Sequence, residues 1–168
     1  MLKQRIAVAA LTMSAAGFAT WQASEGYTER AVIPTKGDVP TIGHGSTRYE
    51  DGRPVRMGDT ITRERASVLA RNLMTADEKR FATSLPGVKL NQTEFDVYMD
   101  FVGQFGIGNW RESSMRKRLL AGQYSGACNA LLLYKYSAGY DCSTPGNKRC
   151  AGVWTRQVER NRKCLEAQ

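Results

Sequence analysis

The chain has few of the side chains that bind zinc. It contains a single histidine, His44, and four cysteines, none of which forms a C-x-x-C pair. Zinc sites draw on closely spaced cysteines or on several histidines. The sequence therefore argues against a zinc site, and we expect neither a metal ion nor an organic cofactor.

Cysteine is also absent from most of the chain, since all four cysteines lie in its last quarter. An even number of cysteines at these spacings predicts two disulfides and an oxidising compartment. Three pairings are possible. We favour Cys142 with Cys150, which closes a polar loop, and Cys128 with Cys164, which joins two late helices.

Long runs of like charge are missing too, although the chain is basic. Its 24 lysines and arginines outnumber 16 aspartates and glutamates, for a net charge of +8. Such a charge attracts nucleic acid, acidic lipids and anionic cell-wall polymers alike. It therefore identifies no partner, and we expect the basic segment 156–163 to be a solvated face.

The length and composition predict one folded domain with a short appendage. Of the 168 residues, 42% are hydrophobic, which is enough to bury a core. No internal repeat is visible. The appendage is expected at the N-terminus, over residues 1–24, with the folded domain over residues 25–168.

Residues 1–24 have the pattern of an export signal. Lys3 and Arg5 precede an uncharged stretch from residue 6 to residue 24, long enough to cross a bilayer as a helix. Much of it is Ala, Gly, Ser and Thr, so its residence in lipid should be marginal. It could be a cleaved signal peptide, a permanent anchor, or a weak anchor that later leaves the membrane uncleaved. We favour the weak anchor, and export argues against a nucleic-acid partner.

The rest of the chain predicts an α+β fold that is mainly helical, after this N-terminal apolar helix. Residues 25–61 are rich in Gly, Pro and Thr and indicate a hairpin, with Asp51-Gly52 as a turn. Thr62 can cap a first long helix, and Asn91 with Glu94 forms a capping box for a second. Further helices are expected near residues 113–121, 125–135 and 155–166.

The residues best suited to chemistry lie around Glu25. Hydrolysis of a glycosidic bond needs an acid for the leaving oxygen and a polar group that activates water. Glu25 stands where the apolar segment meets the hairpin, and Thr41 lies on the first strand. Gly43 and Gly45 would let a sugar ring approach the backbone. His44 is expected to hydrogen-bond the backbone or a glycan.

Three motifs in order resemble glycoside hydrolase family 24, the phage lysozymes and endolysins. Glu-Gly-Tyr at residues 25–27 precedes Pro-Thr-Ile-Gly-His-Gly at residues 40–45. The segments 101–114 and 152–160 resemble later motifs of the family. The resemblance spans residue 25 to the end and implies a lysozyme-like domain, with a small β-hairpin lobe beside a larger helical lobe and a cleft between them. The weak anchor before Glu25 resembles that of the signal-arrest-release endolysins.

The resemblance implies Glu25 as the catalytic acid and Thr41 as the residue that positions water. The family pattern is Glu, eight residues, Asp or Cys, five residues, Thr. Counting back from Thr41, the place of the family carboxylate is held by Thr35. Asp38 is the nearby carboxylate that could substitute, so Asp38 or Thr35 is expected to assist.

The implied reaction is hydrolysis of the β-1,4 bond between N-acetylmuramic acid and N-acetylglucosamine in peptidoglycan, by a monomer that lyses the host cell. Because the family carboxylate is displaced, a lytic transglycosylase acting on the same bond stays an alternative. A second is a non-catalytic, membrane-anchored cell-wall binding protein. The expected location is the periplasmic side of the inner membrane and then the periplasm.

Overall fold

The computed structural model describes residues 4–168, which form helices and short strands. The α-helices are α1 Ala15–Glu25, α2 Arg63–Thr83, α3 Gln92–Glu112, α4 Ser114–Leu120, α5 Tyr124–Ala130 and α6 Ala151–Glu166. The strands are β1 Ile6–Ala7, β2 Thr28–Val32, β3 Thr41–Gly43, β4 Lys89–Leu90, β5 Tyr136–Ser137 and β6 Tyr140–Asp141. The strands pair as three two-stranded antiparallel sheets, β1 with β4, β2 with β3 and β5 with β6. The predicted α+β fold with mainly helical content is confirmed.

The chain divides into two compact units. One is Thr12–Arg80, and the other joins the described residues up to Leu11 with Phe81–Gln168. The first unit contains Glu25 and the β2–β3 hairpin. The second contains β1, β4 and the helices from α3 onward, so it draws on both ends of the sequence.

The unit Thr12–Arg80 is built on the β2–β3 hairpin and the start of α2. Thr28 faces Gly43 and Val32 faces Thr41, with an irregular register between these pairs. The Thr62 hydroxyl accepts a hydrogen bond from the Arg65 backbone N–H at 3.2 Å, as predicted for a cap. The buried core of the hairpin and α2 consists of Ala31, Ile42, Val55, Ile61, Ala66 and Leu69.

Helix α1 has defined ends. The Ser14 hydroxyl accepts from the Gly17 backbone N–H at 3.0 Å at its start. The preceding Met13 N–H donates to a carboxylate oxygen of Glu78 on α2, at 2.8 Å. At the other end Gly26 adopts φ +71° and its N–H donates to the Gln22 carbonyl, a conformation that favours glycine after a helix. The helix therefore ends at Glu25.

The second unit has an aromatic core carried mainly by α3. The Asn91 and Glu94 capping box is present, with both reciprocal hydrogen bonds at its N-terminus. Trp110 donates from its ring N–H to the Ser84 hydroxyl at 2.9 Å, so its one polar atom is satisfied. The fully buried rings are Phe81, Phe95, Tyr98, Phe101 and Trp110.

Both predicted disulfides are present. Cys128 on α5 bonds Cys164 on α6, and Cys142 bonds Cys150 across a loop of eight residue steps. The prediction of a solvated basic face over residues 156–163 is wrong for Arg160, whose side chain is only 3% exposed. It lies 2.6 Å from a carboxylate oxygen of Asp100 on α3, and this pairing lets a charged side chain be buried.

Of the apolar helix expected within residues 1–24, the structure shows only α1, and Lys3 lies outside the described residues. The segment is divided into β1, a 3₁₀ helix at Val8–Ala10 and α1. Ile6 faces Leu90 and Ala7 faces Lys89 in the β1–β4 pair, and Val8 is buried. Across residues 4–168 no helix combines the length and apolar character needed to cross a membrane. Contacts with distant residues decide this structure, and hydropathy alone does not reveal them.

Candidate active site

Glu25 is the last residue of α1 and is half-buried. One carboxylate oxygen, Oε2, lies 3.6 Å from the point that a Cβ atom on Gly45 would occupy. Gly45 is exposed and has φ +78°. The carboxyl group therefore faces the turn at Gly45, and the lack of a side chain on Gly45 leaves space on this side of the acid.

The turn that approaches Glu25 is short and well supported. Ile42 and Ser46 exchange both backbone hydrogen bonds, at 2.9 and 3.0 Å, and enclose residues 43–45. Gly43 has φ +63°, and a Cβ there would be 2.8 Å from the Ala66 Cβ of α2. Gly43 thus permits the hairpin to pack on α2. The predicted role of Gly43, room for a sugar ring, is wrong because Ala66 occupies that space.

His44, at the centre of this turn, is buried with 8% exposure. Its Nδ1 lies 2.5 Å from the backbone carbonyl oxygen of Gly26, the residue after Glu25. The prediction that His44 hydrogen-bonds the backbone is confirmed. The hydrogen bond joins the end of α1 to the glycine turn.

Tyr27 packs beside this connection. Its ring lies 5.8 Å from the His44 ring, and its hydroxyl donates to the Ile61 carbonyl at 2.9 Å. The Arg63 guanidinium lies over the same ring, 4.2 Å from its centre. A cation at this distance is attracted by an aromatic face. Tyr27 is therefore fixed on both sides and holds the chain just after Glu25.

Thr41 begins β3 and is half-buried. It faces Val32 across the sheet, and its hydroxyl donates to the Val32 carbonyl at 3.4 Å. The next residue, Ile42, is fully buried in the core. Since successive side chains on a strand point to opposite faces, Thr41 lies on the face of β3 away from that core.

Thr35 and Asp38 lie in the connection between β2 and β3. The Asp38 N–H donates to the Thr35 carbonyl at 2.9 Å, so a single turn brings the two residues together. Gly37 within it has φ +90°, and both Thr35 and Asp38 are exposed. The two candidates for the displaced carboxylate position are therefore neighbours on one surface turn.

A charged cluster stabilises the same unit further along the hairpin. Arg65 of α2 donates two hydrogen bonds to the Glu50 carboxylate, at 2.8 and 2.6 Å. Asn72 adds a third at 2.9 Å. The hydrogen bonds from Arg65 are the main reason that the pKa of Glu50 is lowered to about 2. Glu50 is thus committed to a structural ion pair and is not available as an acid.

Comparison with known proteins identifies the family. The sequence model of the phage lysozyme family matches residues 22–159. The chain belongs to the phage lysozyme family. The curated endolysin of Salmonella phage P22 is 32% identical over 131 residues, which cover 78% of this chain and 88% of that protein.

Two further relatives agree with this membership. A protein named SAR-endolysin, from Enterobacteria phage PA-2, is 28% identical over 130 residues, covering 77% of this chain and 71% of the relative. The crystal structure of a P22 lysozyme mutant superposes with a TM-score of 0.71 at 26% identity, over 92% of this chain and 99% of that one. The predicted lysozyme-like fold is confirmed, and the chain is a peptidoglycan-cleaving lysozyme.

Glu25, Thr41, Thr35 and Asp38 were predicted from the sequence, which did not reveal two features of the site. The first is the closeness of Gly45 to the Glu25 carboxylate. The second is Arg63, which follows the helix cap with no pattern that links it to Tyr27. The two glycines that flank His44 could have pointed to the approach of Gly45 to Glu25. The contact of Arg63 with Tyr27 depends on how the start of α2 packs beside β2.

Proposed function

We propose that this phage lysozyme is an endolysin that hydrolyses the β-1,4 bond between N-acetylmuramic acid and N-acetylglucosamine, with Glu25 as general acid. The observation that carries the proposal is the position of Glu25, whose carboxylate faces Gly45, a residue without a side chain. A glycosidase acid must reach the glycosidic oxygen of its substrate. The open turn leaves a sugar ring room to bring that oxygen to Oε2.

In this mechanism Glu25 donates its proton to the oxygen that links the two sugars, and the bond from that oxygen to the anomeric carbon breaks. Water attacks the carbon, which carries developing positive charge, and releases its extra proton to the surrounding water. The hydroxyl of Thr41 holds the water or the reaction centre. Asp38 or Thr35, from the turn before β3, assists in orienting the water.

The support for Thr41 comes from its place on the hairpin. It lies two residues before Gly43, which faces Thr28, and Thr28 follows Glu25 by only three positions. Two residues along a strand correspond to about 7 Å. The acid and the threonine are thus carried by neighbouring parts of one unit, Thr12–Arg80.

The lack of a carboxylate at the family's position gives a second candidate reaction. Thr35 stands where the pattern has Asp or Cys, and the nearby Asp38 is exposed. Without a carboxylate to activate water, the 6-hydroxyl of the muramic acid can attack its own anomeric carbon, as in a lytic transglycosylase. The two reactions differ in their product: hydrolysis gives a reducing muramic acid end, and transglycosylation gives a 1,6-anhydro end.

Product analysis tests the proposed reaction against its alternatives. Purified sacculi are digested, reduced with borohydride and analysed by mass spectrometry. Hydrolysis predicts muropeptides with reduced muramic acid ends. A majority of 1,6-anhydro ends would identify a transglycosylase, and a protein that binds sacculi but releases nothing would be a non-catalytic cell-wall binder.

We also propose that the protein is exported and reaches the periplasm as a monomer with residues 1–24 uncleaved. Cleavage near residue 19 would remove Arg5, which pairs with the buried carboxylate of Glu94, and Val8, which is buried. The relative named SAR-endolysin supports release from the membrane without cleavage. The mass of the protein recovered from periplasm tests this proposal. The full-length mass is expected, and a loss of about twenty residues, the length of a cleaved signal, would refute it.

A further inference from the structure

His44 has no role in the reaction proposed above, yet its side chain is buried at the site. The Nδ1 atom lies 2.5 Å from the Gly26 carbonyl oxygen. A carbonyl oxygen only accepts hydrogen bonds, so Nδ1 carries the proton and donates it. This hydrogen bond fixes the tautomer of the ring and its orientation.

The support beneath His44 is rigid. Gly43 packs so tightly on α2 that a Cβ would be 2.8 Å from the Ala66 Cβ. The paired backbone hydrogen bonds of Ile42 and Ser46 close the turn on the other side. The Tyr27 ring, held by Ile61 and Arg63, lies against the imidazole. His44 is therefore a fixed donor, carried by a turn that cannot easily move away from α2.

The acceptor of this hydrogen bond is the backbone carbonyl of Gly26, the residue directly after Glu25. Gly26 has φ +71°, and its N–H is bonded back to the Gln22 carbonyl of α1, so the hydrogen bond from His44 is the contact that ties its own carbonyl to the glycine turn. On the opposite side of His44 in the sequence, Gly45 approaches the Glu25 carboxylate. One imidazole thus sets the separation between the end of α1 and the turn that the carboxyl group faces.

We infer that His44 is a positioning residue for Glu25: its hydrogen bond to the Gly26 carbonyl holds the carboxyl group at the distance from the glycine turn that the substrate requires. The inference rests on the proposed function of Glu25. His44 itself does not touch the reacting atoms. A misplacement of about 1 Å costs on the order of a hundredfold in rate, so a lost positioning bond should lower turnover more than substrate binding.

Four substitutions test the inference. His44→Asn keeps an amide nitrogen at about the place of Nδ1, and His44→Gln moves that nitrogen one bond further out. His44→Leu removes the donor. Tyr49→Phe is the matched control, since it also removes one side-chain hydrogen bond of the same unit, from the Tyr49 hydroxyl to Asp59 at 2.9 Å.

Each variant is assayed with soluble glycan strands for kcat and KM, and its melting temperature is measured. We expect His44→Leu and His44→Gln to lower kcat by about ten- to a hundredfold, with KM changed by less than about twofold. His44→Asn should recover most of the lost kcat. Tyr49→Phe should keep the kcat of the unchanged protein, although it also loses a hydrogen bond.

A normal kcat in His44→Leu, or equal kcat in His44→Asn and His44→Gln, would overturn the inference. If His44→Leu does not fold, the Asn and Gln pair decides, because both are polar and similar in size. Failure of the proposed function is distinguishable, since it would appear as normal turnover in Glu25→Gln whatever the His44 variants do.

Discussion

The Arg5 guanidinium, near the N-terminus, lies 2.7 Å from a carboxylate oxygen of Glu94, 89 positions further along the chain. The Glu94 side chain is only 1% exposed. Gln168 joins the pair, since it accepts from Arg5 and donates to Glu94 at 2.9 Å each. The start of the segment expected to serve as an anchor, up to Leu11, is therefore bound into the second unit in this structure.

Replacing Arg5 by glutamine should destabilise the purified full-length chain. The substitution leaves the Glu94 carboxylate buried without its cation, and hydrogen bonds to charged groups contribute about 1.5–3 kcal/mol. Unfolding in urea measures the loss, which we expect in that range. Arg53→Gln is the control, because Arg53 is exposed and its ion pair with Asp51 is long, at 3.9 Å, so it should contribute little to stability. Equal stability of the two variants would show that the Arg5 pair contributes nothing.

Gly45→Ala should lower activity more than its effect on stability explains. The new methyl group would lie 3.6 Å from Glu25 Oε2 and fill the space beside the acid, which predicts a loss on the order of tenfold or more. Gly52→Ala is the matched control, since Gly52 has a similar φ of +84° with nothing within 4 Å. Both variants should lose about 1–2 kcal/mol from backbone strain. Full activity of Gly45→Ala would remove the proposed space.

The two disulfides should differ in their contribution to stability. The bond from Cys128 to Cys164 spans 36 positions, and that from Cys142 to Cys150 spans 8. In the chain-entropy model the longer loop contributes roughly 4 kcal/mol and the shorter roughly 2.5 kcal/mol. Urea unfolding of the two paired Cys→Ser variants compares them. A larger loss from the shorter loop would contradict this ranking.

The ion pair of Glu50 and Arg65 predicts a loss of stability in acid. Hydrogen bonds from Arg65 lower the pKa of Glu50 to about 2, from an ordinary 4.5. A group whose pKa falls on folding stabilises the folded state above its unfolded pKa, and this stabilisation is lost as pH falls. Glu50→Gln should therefore be less stable than the unchanged protein at pH 7, with the difference shrinking between about pH 4.5 and 2. Urea midpoints measured across that range check this, and a difference that does not change with pH would refute it.

Local signals in the sequence predicted much of the fold. The capping box of Asn91 and Glu94 and the cap at Thr62 depend on residues within one helical turn, and both were found. Hydropathy failed for residues 6–14 because it evaluates a segment in isolation. The pairing of Ile6 with Leu90 and of Arg5 with Glu94 joins residues more than eighty positions apart.

In the candidate site, too, the local sequence motifs could be predicted and the contacts between distant residues could not. The motif around Glu25 and Thr41 could be recognised because the residues keep a fixed order. Its spacing showed that Thr35 stands where the family has a carboxylate. The contact of Glu25 with the turn at Gly45 depends on how β3 turns back beside α1. No local periodicity encodes that approach, so it required the three-dimensional structure.

The central claim is that Glu25 supplies the proton that breaks the glycosidic bond. The most direct measurement is the turnover of purified Glu25→Gln on soluble glycan strands, beside Glu29→Gln as a control that removes an exposed carboxylate of β2. We expect Glu25→Gln to fold normally and lose on the order of a hundred- to ten-thousandfold in turnover, with Glu29→Gln unaffected. Normal turnover by folded Glu25→Gln would contradict the account.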